Sequence, residues 1–381
     1  MKYIFFFFAF TLVCLGCNET QSKSDLKNQS IDFSKELKDP RLSDLVADIE
    51  VIPLSTYTKN DELVFFQRLN KVQLTKDFIF ILDFESAQSL LVFDRKGNFL
   101  HKIGSQGDGP NEYRQIMDFM IENDQMKILD FKRIISYNLD GVYLSSRPLK
   151  DIAPSYFSSL PNGMVFIATQ FGEDNLILTD KELALKNTYF PYGTRSLNVS
   201  IPNPLFFNYS GELIYRRFLN DTLFKISNFD RPSPYSIIDY GEKKFDLDQL
   251  LSSSNPDKYF SDTIVDHCMT LYYYENLNYL YLSFVLKGEK WIYIKSNKTS
   301  KTFLYKKKNL IDDITFDPLS VVVGTYEDYF IFSGNPGRIL SEIENVNLFE
   351  GTPKHVSAMK ELSKKIKSED NSILFAVKFG F

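Results

Sequence analysis

Apolar residues along the chain gather in short runs of strand length, each broken by turn residues. Ile81-Leu82-Asp83-Phe84 recurs as Ile128-Leu129-Asp130-Phe131, 47 residues later, and both copies close such a run. A second run, a turn carrying glycine and a third run follow each copy, through Asp94 to Asn98 and through Asn138 to Val142, and these align at an offset of 44. Gly97 and Gly141 occupy the turn position that demands positive φ, so one unit reads strand, strand, turn, strand. Weaker copies begin at Met164, Glu212, Leu280 and Tyr329. The starts at 78, 126, 164, 212, 280 and 329 are separated by 48, 38, 48, 68 and 49 residues. A period of about 40–50 residues holding about four strands is the spacing of propeller blades, and six units predict an all-β, six-bladed β-propeller. The gap of 68 predicts an insertion between Asp246 and Cys268, with Asp248 to Pro256 as a helical turn and loop.

The ends of the chain complete the pattern. Thr352 and Pro353 read as N-cap and first residue of an amphipathic helix carrying Val356, Met359, Leu362 and Ile366 on one face. Ser372 to Phe381 then alternates as a closing C-terminal strand. Asp48 to Leu54 and Ile373 to Phe379 are expected to share one blade, which would pin the first and last blades together.

Composition agrees with strands: 35 Phe and 22 Tyr stand against 17 Gly and one Trp in 381 residues. The net charge of -5 removes the global basic field that nucleic-acid binding needs. The first residues give a charge at Lys2, an apolar run to about Leu15, then Gly16 and Cys17, the pattern of a signal peptide too short to span a bilayer. Gly16-Cys17 before a polar stretch resembles the lipobox of bacterial lipoproteins, departing from it at Cys14, where leucine is usual. Cys17 is then the expected lipid attachment point, and membrane association is expected through that N-terminal anchor only. The expected organisation is a signal peptide over 1–17, a flexible polar linker over 18–45 and the propeller over 46–381. With Cys14 removed and Cys17 acylated, Cys268 has no partner for a disulfide, so stability must come from packing.

Glu50-Val51-Ile52-Pro53-Leu54, Phe78-Ile79-Phe80-Ile81-Leu82-Asp83 and the stretch Ile103 to Tyr113 resemble the six-bladed β-propeller lipoproteins abundant in Bacteroidetes, distant relatives of NHL-repeat propellers. Phe218 to Phe224 and Asn371 to Phe375 carry the same likeness, which spans from about residue 46 to the end. The resemblance implies a propeller in the cell envelope, at the outer membrane, facing the periplasm or the exterior. It implies no catalytic set, because the family is defined by fold.

Candidate chemistry is sparse. Gly104, Gly107 and Gly109 precede Pro110 and a run that is not helical, so they read as an interblade crossing and not as a phosphate loop. His101, His267 and His355 lack metal-ligand spacing, and His267 beside Cys268 cannot form a base and nucleophile, because adjacent side chains on an extended backbone point apart. No metal and no cofactor is expected. Asp312-Asp313 and the repeated Asp83 and Asp130 have the chemistry for acid-base work or an inward-facing calcium or ligand contact, but Asp83 and Asp130 recur at one repeat position, as turn-forming residues would. The aromatic group Tyr272, Tyr273, Tyr274, Tyr279, Tyr281, Trp291 and Tyr293 reads as blade packing before it reads as a sugar-stacking platform. Lys306-Lys307-Lys308 reads as a solvated edge or hairpin tip. Arg68, Asp83, Gly109, Glu112, Tyr113, Arg114, Asp130 and Arg216 are the candidate ligand contacts around the channel mouth. The expected function is a monomeric ligand-binding or scaffolding module for a glycan, a peptide or a partner envelope protein. A hydrolase or lyase at the channel mouth is the alternative.

Overall fold

The computed structural model describes residues 26–150, 152–168, 174–191, 206–209, 211–317, 319, 321–345 and 353–381. Six antiparallel sheets follow one another along the chain as blades 1 to 6, over 71–103, 116–148, 156–191, 206–239, 269–306 and 321–379, the last taking its outer strand from Val46–Pro53. The all-β, six-bladed propeller expected from the repeats is the fold. Each blade starts at its innermost strand and steps outward. Innermost strands of neighbouring blades touch around the axis, as Val321–Tyr326 does with Lys71–Leu74. This order puts the turns between first and second strands and between third and fourth strands on one face, here the hairpin face. The turns between second and third strands and the interblade connections lie on the other, the crossover face.

The six repeat starts mark the second strand of every blade: Phe78–Asp83, Gln125–Asp130, Gly163–Ile167, Glu212–Arg216, Tyr279–Leu286 and Tyr329–Gly334. These strands sit mid-blade with both faces buried, which is why they read as continuous apolar runs. In Phe78–Asp83, Ile79 and Ile81 pack toward Ile331, Leu374 and Ala376 of blade 6. Phe80 and Leu82, alternating with them, pack toward Phe119, Met126 and Ile128 of blade 2. Burial of each such side chain contributes about 1.5–3 kcal/mol.

The outer hairpins of blades 1 to 3 share one device. The side chains of Asp94, Asn138 and Asp180 each accept from the amides two and four residues ahead, at 2.9 and 2.9 Å, 3.1 and 2.8 Å, and 3.1 and 2.8 Å. Gly97 and Gly141 take the positive-φ position of these turns, but in blade 3 Leu183 takes it at φ 66°. Loss of the glycine hides this third copy from the sequence.

The closure is as expected: Ile373–Phe379 pairs antiparallel with Val46–Pro53, from Ile373 opposite Pro53 to Phe379 opposite Val46. The C-terminal helix runs Pro353–Ser363 with Met359 and Leu362 buried, while Thr352 lies outside the described residues. The insertion holds helices Leu247–Ser252 and Pro256–Thr263. A helix at Pro336–Asn345, not expected from the sequence, packs Ile339 into blade 6, and its Asn335-Pro336 start was a legible capping signal: Asn335 accepts from the Arg338 amide at 2.9 Å.

The expected linker over 18–45 is corrected from Lys27 onward. Lys27–Ser30 pairs parallel with the outer strand of blade 4, Ser233–Asp239, and Glu36–Leu37 with that of blade 5, Thr302–Lys306. Leu42 and Leu45 are buried, and Asp313 accepts from the Ser43 amide at 3.0 Å and its hydroxyl at 2.6 Å. The segment is a strap that covers two open strand edges. Polar side chains misled because the strap is held by backbone pairing, which side-chain polarity does not report.

Candidate functional site

The residues expected to contact ligand cluster on the crossover face, where most are internal scaffolding. Asp83 ends the second strand of blade 1. Its Oδ1 accepts from the amides of Glu85 and Ser86 at 3.0 and 2.9 Å, and its Oδ2 from Gln67 N at 3.0 Å, Ser86 Oγ at 2.6 Å and Ala87 N at 3.2 Å. Burial pushes the carboxyl up, but these hydrogen bonds outweigh it and hold it below the usual range. Asp130 does the same work in blade 2, accepting from the amides of Arg114 and Gln115 at 3.1 and 3.2 Å and from Arg133 Nε at 2.8 Å. Each aspartate ties the incoming interblade connection to its own blade; the turn-forming role expected of the pair is seen at Asp83, which accepts from the amides of its own turn, while Asp130 accepts from the connection and from the Arg133 side chain.

Gly104 to Tyr113 folds back on itself: Ser105–Gln106 pairs parallel with Glu112–Tyr113, and Glu112 Oε2 accepts from the Gly109 amide at 2.8 Å. A Cβ on Gly107 would lie 2.1 Å from that carboxylate. The strand Ile116–Glu122 follows, so this is an interblade crossing. Tyr113, Asp83, Asp130 and Arg216 are all at most 3% exposed, so the expectation that they meet a ligand is corrected. Arg216 is the clearest case: it lies between blades 4 and 5 and donates from Nη1 to the Thr270 carbonyl at 3.3 Å. Arg68 and Arg114 are exposed and paired with Glu85 at 3.2 Å and Asp108 at 2.6 Å.

The other candidates resolve into packing. Tyr273, Tyr274, Tyr279, Tyr281, Trp291 and Tyr293 are buried, with Trp291 stacked on Phe284 at 6.2 Å. Burial pushes the Cys268 thiol up to about 12. His267 Nδ1 lies 2.7 Å from the Thr263 carbonyl and His101 Nε2 3.1 Å from that of Leu139. In the lysine run Lys308 is exposed and Lys306 and Lys307 are half-buried; burial, with Lys290 nearby, lowers the Lys307 ammonium to about 8. Among the described residues no group of three or more His, Cys, Asp or Glu is placed to hold a metal.

On the opposite, hairpin face lies a cleft of about 780 Å3 that spans blades 2, 3 and 4. Its floor is made by the inner hairpins: Glu122 and Asn123, Ser159 to Pro161, and Gly211 with Glu212. Lys127, Arg147, Lys181 and Lys225 stand around it, and Ser227 and Asn228 close the blade 4 side. Lys127 bonds Glu122 and Lys225 bonds Glu212, while Arg147 Nη2 donates to the Lys181 carbonyl at 2.5 Å. Burial pushes the Glu122 carboxyl up, but hydrogen bonds from Lys127 and Ser159 and the charges of Lys127 and Lys181 hold it below the usual range. The lining therefore offers four cations against two carboxylates, with hydroxyl and amide groups between them. None of the sequence candidates lines this cleft. Most of its residues come from turn ends of three blades, Arg147 from the far end of the outer strand of blade 2, and no motif joins them in the sequence.

The fold is shared with solved structures. A Bacteroides fragilis protein described as exported aligns at a TM-score of 0.75 with 20% identity, over 93% of this chain and all (100%) of that one. A member of the DUF4221 family from Bacteroides vulgatus aligns at a TM-score of 0.53 with 10% identity, over 88% of this chain and 97% of that one. No curated protein matches the chain. The family described as Domain of unknown function (DUF4934) matches over residues 28–378, strap and all six blades together, and the chain belongs to that family.

Proposed function

We propose that this chain is an exported, lipid-anchored propeller of the bacterial cell envelope that holds a ligand in the cleft across blades 2 to 4. The observation that carries the reading is the cleft itself. At about 780 Å3 it falls within the roughly 300–1,000 Å3 typical of ligand sites, and it is lined by converging charged and hydroxyl groups. Export rests on the signal pattern ending at Cys17 and on the likeness to a Bacteroides fragilis protein described as exported. The strap supports anchoring close to the membrane. Its first strand enters blade 4 from the hairpin face, where Lys27 bonds Tyr235 at 2.6 Å and Glu275 at 2.9 Å. Residues 18–26 then allow a reach of at most about 35 Å from Cys17.

The test has two arms. Labelling with an acyl-chain analogue should mark the wild-type chain and leave Cys17→Ala unmarked; an unmarked wild type removes the anchor from the reading. A thermal-shift screen of oligosaccharides and peptides should give hits that Ser159→Trp, which fills the cleft, abolishes. Hits that survive Ser159→Trp would move the ligand elsewhere on the propeller.

A further inference from the structure

Building on the ligand-binding reading, we propose that the cleft takes an anionic saccharide, a sugar unit or short chain bearing carboxylate or phosphate. Charge is the first argument. The whole chain is acidic at -5, yet this one concavity gathers Lys127, Arg147, Lys181 and Lys225 against only Glu122 and Glu212. The two carboxylates are each ion-paired with one lysine, Lys127 and Lys225, and the charge of Lys181 acts on Glu122 from further off. Arg147 and Lys181 have no carboxylate within ion-pair distance among the described residues, and the Arg147 bond to the Lys181 carbonyl holds both on one wall. A guanidinium and an ammonium lining one cleft together offer donors and positive charge to carboxylate or phosphate oxygens.

The rest of the lining selects a sugar over an acidic peptide. Asn123, Ser159, Ser227 and Asn228 match hydroxyl groups, and Leu160, Met164 and Ile226 offer apolar surface to the faces of a sugar ring. An extended peptide binds best along an open strand edge, where it completes a ladder of backbone hydrogen bonds. The cleft presents hairpin ends whose strands are already paired with each other, as Ser159 is with Met164 and Leu213 with Ile226. Such an anion can come from a free oligosaccharide or from the headgroup of a glycolipid. The second source is within reach, because the strap enters blade 4 from the same face that carries the cleft.

The experiment is calorimetric titration of the exported chain with trigalacturonate and with neutral galactotriose, at low and high salt. Flotation with phosphatidylcholine vesicles, with and without lipid A, runs beside it. The paired charge reversal Arg147→Glu/Lys181→Glu tests the cleft, and Arg68→Glu/Arg114→Glu on the crossover face serves as control. Binding of trigalacturonate or of the lipid A vesicles is expected to weaken at least about tenfold, roughly 1.4 kcal/mol, in the cleft variant, to fall with salt and to persist in the control. Trigalacturonate alone identifies a free oligosaccharide, and the vesicles alone a headgroup. Equal binding of galactotriose overturns the anionic class while leaving a ligand-binding cleft. Binding of neither acidic probe, or binding indifferent to the cleft variant, overturns the assignment itself, and hits in the broader screen lost with Ser159→Trp would show the ligand-binding reading standing without it.

Discussion

Lys71 on the innermost strand of blade 1 and Asp118 on the innermost strand of blade 2 meet at 2.7 Å, and their contact joins three blades at the axis. Asp118 Oδ2 accepts from the Phe157 amide of blade 3 at 3.2 Å, and the Lys71 ammonium also donates to the Phe119 carbonyl at 2.6 Å. The Asp118 side chain is 3% exposed and burial pushes its carboxyl up against the opposing charge of Lys71, so removal of the lysine leaves a buried acid without the charge that offsets its burial. Lys71→Met is expected to lower stability by about 3 kcal/mol, and Lys71→Met/Asp118→Leu by less than the two single changes together. Guanidinium unfolding midpoints measure both. A loss under about 1 kcal/mol for Lys71→Met would mean that the ion pair is dispensable, Asp118 being held by the backbone amides or neutralised by a proton.

The strap makes a second prediction. A chain beginning at Leu26 keeps Lys27–Ser30 and Glu36–Leu37 and is expected to melt as the exported chain does. A chain beginning at Val46 loses burial of Ile31, Leu42 and Leu45, worth about 5 kcal/mol or more, and bares the outer strands of blades 4 and 5. It is expected to melt many degrees lower and to scatter light as it aggregates. Equal melting of the two chains would return the strap to the role of a linker.

Where the sequence was legible, burial on both faces made it so. Phe78–Asp83 and Gln125–Asp130 announce themselves because neighbouring blades cover each side, and Asp83 and Asp130 share one task, accepting from the amides of the connection that enters their blade. The strap was illegible for the converse reason: its two short strands take register and pairing from the blades they lie on. Arg216 misled because a charge in a sequence reads as exposed, and only the fold shows the carbonyl and tyrosines that surround it. The cleft was hidden more deeply. Lys127, Lys181 and Lys225 are ordinary polar residues near hairpin turns, and only the circular arrangement of blades sets them around one concavity.

Two glycines with the same backbone sign separate conformational strain from collision. Gly97 has φ 87°, and a Cβ there would lie 2.1 Å from the carbonyl of Pro53, at the end of Val46–Pro53, the outer strand that blade 6 takes from the N-terminal part of the chain. Gly288 has φ 73° and nothing within 4 Å. Gly288→Ala is expected to cost about 1 kcal/mol, the left-handed penalty alone. Gly97→Ala adds displacement of Val46–Pro53 and is expected to cost at least about 2 kcal/mol more. Denaturation of the two variants side by side gives the difference; equal costs would show that Val46–Pro53 yields freely.

Asp221 gives the propeller a pH dependence. It opens the third strand of blade 4, is 6% exposed, and its Oδ2 has no hydrogen-bond partner among the described residues. Burial pushes its carboxyl up to about 7; Lys244 opposes this and Asp239 adds to it. The folded chain therefore holds a proton that the unfolded chain, with an ordinary carboxyl near 3.8, has released. Below that lower value both states are protonated and the residue is neutral toward folding. Stability is lost as pH rises from about 4 through 7, by at most about 4 kcal/mol, and the loss is complete above that window. Asp221→Asn keeps the shape and removes the titration. It is expected to melt above wild type at pH 8 and to converge with it near pH 4. A constant difference between the two across that range would show that Asp221 is ionised in the fold throughout, held by Lys244 more strongly than burial opposes it.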